Sequence, residues 1–218
     1  FGRTRDLLDG QTGVLTGTAV WAGTKNGSVV SCTLGYVQFP HAQRYSAPVR
    51  ALTIFLKTSV GAPGTRAGLC AHGSIDSVSG YIAEVANGNS GPRLNINGGP
   101  EINIADPVPS IFNTGPNAIV FTYSSGGRSR IYVNGVLKGA AAATATSITT
   151  TTNDFYWGSN RPNRTHDLTG SMEVGHVYSR ELSVAEIGWV SADPYAFLLP
   201  QSPRIRFFLP SVSAAVGA

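Results

Sequence analysis

Ile119-Val120-Phe121-Thr122-Tyr123 begins the stretch of sequence that decides the fold. The turn-forming run Ser124-Ser125-Gly126-Gly127 follows it, and then comes Arg128-Ser129-Arg130-Ile131-Tyr132-Val133. Apolar residues recur with a period of two in these runs, as on one face of a β-strand. The next pair, Asn134-Gly135, accepts the positive φ angles of a type I′ turn, and Val136-Leu137 continue beyond it. The sequence therefore predicts a three-stranded antiparallel meander.

The rest of the chain shows the same pattern in shorter runs, which Gly, Asn, Pro and Ser clusters separate. Many strands at short, regular spacing indicate one all-β domain, a sandwich or a barrel. One short helix is predicted near the C-terminus, because Ser183 and Glu186 have capping-box spacing. The uncharged tract 140–152 is compatible with a loop or an edge strand. The further β-like runs are 29–33, 36–39, 50–57, 67–71, 81–85, 93–96, 102–104, 155–158 and 172–179.

The composition excludes several classes of partner. Of the 218 residues, 13% are charged and 42% are hydrophobic, with a net charge of +4. That excess lies at the two ends, in Arg3 and Arg5 and in Arg204 and Arg206; without them 12 basic and 12 acidic residues remain. A neutral body with no clustered basic face argues against nucleic acid. The apolar runs are far shorter than the roughly 20 residues of a membrane helix, so we expect no membrane partner.

Cysteine and histidine usage indicates neither a disulfide scaffold nor a metal centre. Cys32 and Cys70 lie in apolar or small-residue stretches, which favours buried free thiols, although one disulfide between them stays open. We expect no metal and no cofactor, because the four histidines are scattered without metal-ligand spacing. They are His41, His72, His166 and His176.

In their order along the chain, these features resemble the concanavalin-like jelly roll of the laminin-G-like type. The resemblance covers roughly residues 9–190 in short segments, and it implies a jelly-roll β-sandwich over residues 1–192. The segments that carry it are Asp9 to Gly17, Val29 to Pro40, Leu52 to Lys57, Val120 to Val136, Phe155 to Gly158 and Leu168 to Ser183.

The character of the sequence changes at Asp193-Pro194. Residues 193–218 are aromatic, broken by proline and basic, and we predict an extended C-terminal arm there. The arm resembles those that end this domain in tailed-bacteriophage structural proteins. We expect it to contact a partner through Tyr195, Phe197, Leu198, Arg204, Arg206, Phe207 and Phe208.

Enzymatic activity is not expected. Glycosidases of this fold place paired carboxylates on one strand, so that one acid protonates while the other attacks. In Met172-Glu173-Val174-Gly175-His176, the glutamate has no second acid beside it, and the sequence contains no Gly-x-Ser-x-Gly elbow.

The functional hypothesis is a non-enzymatic virion structural protein, a capsid decoration protein on the particle surface that is anchored by its termini. Its partner would be the major capsid protein or another virion protein, and a homo-oligomer is a further expectation. The alternative is a carbohydrate-binding adhesion module on a phage tail or fibre, with Tyr156 and Trp157 as a stacking face, although the resemblance places Trp157 in a core strand and favours its burial. A structural calcium ion is a further alternative, because loop oxygens suit this hard cation. Its candidate ligands are Asn153, Asp154, Asn160, Asn163 and Asp167.

Overall fold

The computed structural model describes residues 4–5, 12–24, 27–41, 50–61, 66–74, 79–85, 90–105, 110–160 and 166–195. The helix in these ranges is α1 (Val184–Ala192), and none of the described helical structure is long and apolar enough to cross a membrane. The strands are β1 (Thr4–Arg5), β2 (Thr12–Gly17), β3 (Val20–Thr24), β4 (Gly27–Phe39), β5 (Ala51–Val60), β6 (Ala67–Ser74), β7 (Ser79–Val85), β8 (Ser90–Ile96), β9 (Gly99–Ala105), β10 (Asn117–Ser124), β11 (Arg128–Val133), β12 (Val136–Ala142), β13 (Phe155–Trp157) and β14 (Leu168–Tyr178).

The strands form two antiparallel layers that share β4. The first layer has the order β12-β11-β10-β5-β14-β4-β3, and the second has the order β2-β4-β13-β6-β7-β8-β9. The first half of β4 pairs with β14 and its second half pairs with β13, so the strand passes from one layer to the other. This arrangement confirms the predicted all-β jelly-roll sandwich.

The crossing point of β4 lies at Leu34, whose φ of +62° is left-handed. A Cβ on the neighbouring Gly35 would lie 2.4 Å from the backbone nitrogen of Ala19, so only glycine fits there. The sequence predicts two separate runs, 29–33 and 36–39. The structure instead has one bent strand, because a single left-handed residue turns the chain without ending its pairing.

The main core fills the space between the layers, with Ile54 and Phe121 from the first layer and Leu69 and Leu94 from the second. The outer face of the first layer is buried as well, because α1 packs on it. There the buried side chains are Phe55, Ala118, Val120, Tyr132, Leu182, Ile187 and Val190. Burial on both faces explains why β5 and β10 read as nearly continuous apolar runs.

The local predictions of the meander and the helix are confirmed. Asn134 and Gly135 have φ angles of +51° and +78°, as a type I′ turn requires. In α1, the Ser183 side chain accepts a hydrogen bond from the Glu186 backbone N–H, and the Glu186 carboxylate accepts one from the Ser183 N–H. The tract 140–152 combines both alternatives, because it ends the edge strand β12 at Ala142 and then continues without regular structure.

Buried Glu101 of β9 holds the irregular part of this tract. Its carboxylate accepts hydrogen bonds from the Thr144 backbone at 2.6 Å and the Thr144 hydroxyl at 2.8 Å. The Ser129 hydroxyl and the Ala145 backbone N–H also donate to it, each at 3.2 Å. The carboxylate thus attaches the tract to the end of the sandwich.

Cys32 and Cys70 are free and buried, as predicted. Burial raises the pKa of each thiol to about 12. Both therefore behave as small core residues.

Candidate functional site

The outer face of the second layer carries an unusual set of side chains. Ile82 and Glu84 lie two residues apart on β7 and therefore point to the same face. Arg93 lies opposite Glu84 on β8, and Asn103 of β9 lies opposite Arg93. Cross-strand neighbours share a face, so a charged and polar row runs across the three strands.

Glu84 is the centre of this row, and its side chain is fully buried. Arg93 donates from Nε to Glu84 Oε1 at 2.8 Å and also donates from Nη2. The amide nitrogens of Asn95 and Asn160 donate to the two carboxylate oxygens, each at 3.0 Å. The Asn160 amide nitrogen also lies 3.2 Å from Nδ1 of His166. We call Glu84, Arg93, Asn95, Asn160 and His166 the Glu84 cluster.

A pair of tyrosines lies on the same face. The rings of Tyr36 and Tyr156 are 5.9 Å apart in an edge-to-face arrangement, and they pack with Ala71 and Ile82. Tyr156 is buried, so in this structure it offers no broad stacking surface. Trp157 is partly buried against the main core, in agreement with the burial that the sequence favours.

Three of the four described calcium candidates are hydrogen-bonded within the protein through their side chains, whereas Asn153 contributes its backbone carbonyl, 3.3 Å from Nδ1 of His41. Asp154 accepts hydrogen bonds from the Gln38 side chain at 2.6 Å and from the His41 backbone at 2.8 Å. Asp167 accepts one from the Ser159 hydroxyl at 2.7 Å, and Asn160 belongs to the Glu84 cluster. Asn163 lies outside the described residues. Within the described ranges, no group of three or more His, Cys, Asp or Glu side chains has an arrangement suited to a metal ion.

Folding brings two of the scattered histidines together. The rings of His41 and His72 stack with their centroids 5.7 Å apart. His176 stacks on Phe55 in the first layer, at 5.5 Å. Burial lowers the pKa of His176, and its hydrogen bond with the Pro194 carbonyl acts in the opposite direction.

Glu173 lies in β14 of the first layer, where its carboxylate is 3.5 Å from Nζ of Lys57. It therefore belongs to a different layer from Glu84. The structure gives Glu173 a cationic neighbour, which suits an ion pair.

Of the residues expected to contact a partner, Tyr195 lies in the described part and is 38% exposed. The other predicted contact residues lie outside the described residues. They are Phe197, Leu198, Arg204, Arg206, Phe207 and Phe208.

Sequence reasoning missed the Glu84 cluster. A signal was present, because Glu84 interrupts the apolar run Tyr81 to Val85 and Arg93 begins the next predicted strand. Opposite charges in two consecutive predicted strands indicate a cross-strand ion pair. The contribution of Asn160 had no such signal, since it lies 76 residues from Glu84 in sequence.

The comparisons with known proteins agree with this architecture. The sequence model of the family described as the Concanavalin A-like lectin/glucanases superfamily, of the laminin-G type, matches residues 33–188. The chain belongs to this family. No curated protein sequence matches it.

Solved structures share the fold of this laminin-G-type chain at low sequence identity. The binding domain of Paraclostridial Mosquitocidal Protein 1 has 12% identity and a TM-score of 0.70, over 88% of this chain and 50% of that one. The binding domain of botulinum neurotoxin DC in complex with SialylT has 14% identity and a TM-score of 0.61, over 85% and 47%. The heptameric SAP-like pentraxin from Limulus polyphemus has 16% identity and a TM-score of 0.55, over 72% and 81%. The chain thus spans about half the length of the toxin binding domains.

Proposed function

We propose that this chain is a non-enzymatic carbohydrate-binding module and that the glycan contacts the outer face of the second layer. The observation that carries the proposal is the polar row of Glu84, Arg93 and Asn103 on three adjacent strands. Asn103 is exposed and the side chain of Arg93 is 14% exposed, so the row runs from a buried carboxylate to the surface.

Such a row suits the hydroxyl groups of a sugar. Guanidinium and amide groups donate hydrogen bonds and amide oxygens accept them, so each hydroxyl can find a partner. Glu84 fixes the guanidinium of Arg93, and β-strands hold both residues. These side chains are therefore already ordered before a ligand binds, which lowers the entropic cost of binding.

The contacts of Glu84 favour binding over hydrolysis. A glycosidase needs one carboxyl group to donate a proton and a second one to attack or to activate water. Both oxygens of Glu84 already accept hydrogen bonds, from Arg93 and from two amides. Glu173, the acid that the sequence singles out, lies in the other layer beside Lys57.

The compared structures support the same class of function without assigning a ligand. Two are binding domains, and one of these is in complex with SialylT. This chain spans about half of each, so the glycan site proposed here is argued from its own residues.

A glycan-binding screen of the full chain, with and without chelator, tests the proposal. We expect binding to a glycan class, and we expect Asn103→Ala to weaken it about 2- to 10-fold, the value of one neutral hydrogen bond. Arg128→Ala is the control, because Arg128 is an exposed side chain on β11 of the first layer. Equal effects of the two variants, or no glycan bound at all, would exclude this face as a glycan site. A chelator effect would bring back the calcium alternative.

We propose capsid decoration as the second candidate function. Exposed Tyr195, at the start of the predicted arm, and Trp189 of α1, which is 52% exposed, support it. A chain truncated after Ala192 should remain folded and lose binding to particles. Undiminished particle binding by the truncated chain would argue against anchoring through the arm.

A further inference from the structure

Arg66 lies on the same face of the protein as the Glu84 cluster. It directly precedes β6, in which Ala67 belongs to the main core and Gly68 lies opposite Glu84. Successive residues of an extended chain point to opposite faces, so Arg66 shares the outer face with Gly68. Arg66 is partly exposed. It therefore adds a charged group to the face that is proposed for the glycan.

Arg66 and Arg93 differ in how their charges are balanced. Arg93 forms an ion pair with the buried carboxylate of Glu84. In the described part of the chain, no carboxylate forms an ion pair with Arg66. Asp167, which precedes β14, accepts a hydrogen bond from the Ser159 hydroxyl. Arg66 thus keeps an unbalanced positive charge beside the Glu84 cluster.

The spacing of the two arginines suits contact with one sugar. β7 lies between β6 and β8, so Arg66 and Arg93 are two strands apart, and they are also offset by two residues. With about 4.8 Å between strands and about 3.3 Å per residue, their Cα atoms are about 12 Å apart. Asn103 lies beside Arg93 on β9. At this separation the three side chains can contact different groups of the same sugar ring.

A raised segment borders this part of the face. Ser159 and Asn160 lie over Gly68, where a Cβ would be 2.2 Å from the backbone nitrogen of Asn160. Only glycine fits beneath the segment, and the Asn160 side chain continues from it to Glu84. Ligand sites are concave and have a few convergent polar groups. The segment gives the sheet such a border next to Arg66.

We propose that the glycan carries a single carboxylate group, as sialic and uronic acids do, and that Arg66 binds this carboxylate. The inference rests on the proposed glycan-binding function and adds the class of sugar to it. A guanidinium donates two parallel hydrogen bonds to a carboxylate, which makes arginine well suited to this group. Hydroxyl groups of the same sugar contact Arg93 and Asn103. Arg93 uses two of its five N–H groups for Glu84, so three remain for hydroxyls.

The small number of cations favours a singly charged sugar. Strands β6 to β9 contain one arginine and no lysine, and Arg66 adds a second cation just before β6. Because Glu84 balances Arg93, one positive charge remains for the ligand. A sulfated polymer would need a longer row of cations, and an uncharged sugar would leave Arg66 without an anion.

Glycans in matched pairs that differ by one carboxylate test the proposal. The pairs are sialyllactose with lactose, and a conjugate of glucuronic acid with the same conjugate of glucose. We expect the full chain to bind the acidic member of one pair at least about 10-fold more tightly, the value of charge-assisted hydrogen bonds. Equal affinity within every pair, in a chain whose binding still depends on Asn103, overturns this inference and leaves the glycan-binding function intact. Binding to no glycan overturns both.

Variants of Arg66 test its assignment as the carboxylate-binding residue. Arg66→Gln should remove the preference for the acidic sugar and keep the affinity for the neutral one. Arg66→Lys retains the charge without the planar pair of donors, so it should keep part of the preference. Arg50→Gln is the control, because Arg50 is exposed and directly precedes β5 of the first layer, as Arg66 precedes β6. A preference that Arg66→Gln leaves unchanged, or that Arg50→Gln reduces equally, overturns the assignment.

Discussion

Replacing Arg93 by alanine should destabilise the protein far more than a matched substitution on the other layer. Arg93→Ala leaves the carboxylate of Glu84 fully buried with only the amides of Asn95 and Asn160 as donors. Removing one partner of a buried ion pair costs about 3–5 kcal/mol, because an uncompensated charge stays in the protein interior. We therefore expect the free energy of unfolding to fall by about that amount.

The matched control is Arg130→Ala. Arg130 also pairs with a glutamate, Glu181, but the two side chains are 31% and 29% exposed, against 14% and 0% for Arg93 and Glu84. Exposed pairs contribute about 0–1 kcal/mol, because water solvates the remaining charge and salt screens the attraction. The two variants remove the same side chain and differ mainly in burial.

Urea unfolding, followed by circular dichroism, measures the difference. With an m-value of about 3 kcal/mol/M, the midpoint of Arg93→Ala should fall by about 1–1.7 M and that of Arg130→Ala by less than about 0.4 M. The double variant Glu84→Gln/Arg93→Met should recover much of the loss, since it removes both charges together. Equal midpoints for the two single variants would refute the claim that burial makes the Glu84–Arg93 pair structurally important.

Two further predictions concern titratable groups. Burial raises the pKa of Cys32 and Cys70 to about 12, so neither thiol should react with a disulfide reagent at pH 8 in the folded protein. Both thiols should react once guanidinium unfolds the chain. Fast reaction in the native state would contradict their burial. The pKa of His176 is lowered from its ordinary 6.5, so the unfolded chain takes up a proton more readily than the folded one. The stability contributed by the neutral imidazole is therefore present above about pH 6.5 and is lost as the pH falls below it. Urea unfolding at pH 7.5 and 5.5 should show this loss, and His176→Phe should show less of it; an unchanged pH dependence in the variant would assign the effect to another group.

Local signals in the sequence predicted the elements that short-range chemistry determines. Asn134-Gly135 specifies its turn by backbone preference, and Ser183 with Glu186 specifies the start of α1 by hydrogen bonds three residues apart. β2 and β3 were not predicted as strands, because their Gly- and Thr-containing segments have little apolar alternation. Their strand conformation depends on pairing with β4, which is a tertiary interaction.

The candidate site could be predicted from the sequence only in fragments. Opposite charges at Glu84 and Arg93 are visible in consecutive predicted strands, but which strands pair, and in which register, depends on the whole sheet. Asn160 reaches Glu84 from a segment that follows β13, on the far side of β6 from β7. A contact between segments so far apart in sequence leaves no periodic pattern. The all-β class was thus accessible from local signals, and the Glu84 cluster was not.

The low charge of this chain is consistent with the proposed glycan-binding face. Two of its acidic side chains, Glu84 and Glu101, are buried and bind neighbouring strands and loops, so they contribute little to the surface. A surface with few charges presents its hydrogen-bonding groups without a strong field, which suits a glycan better than a highly charged ligand.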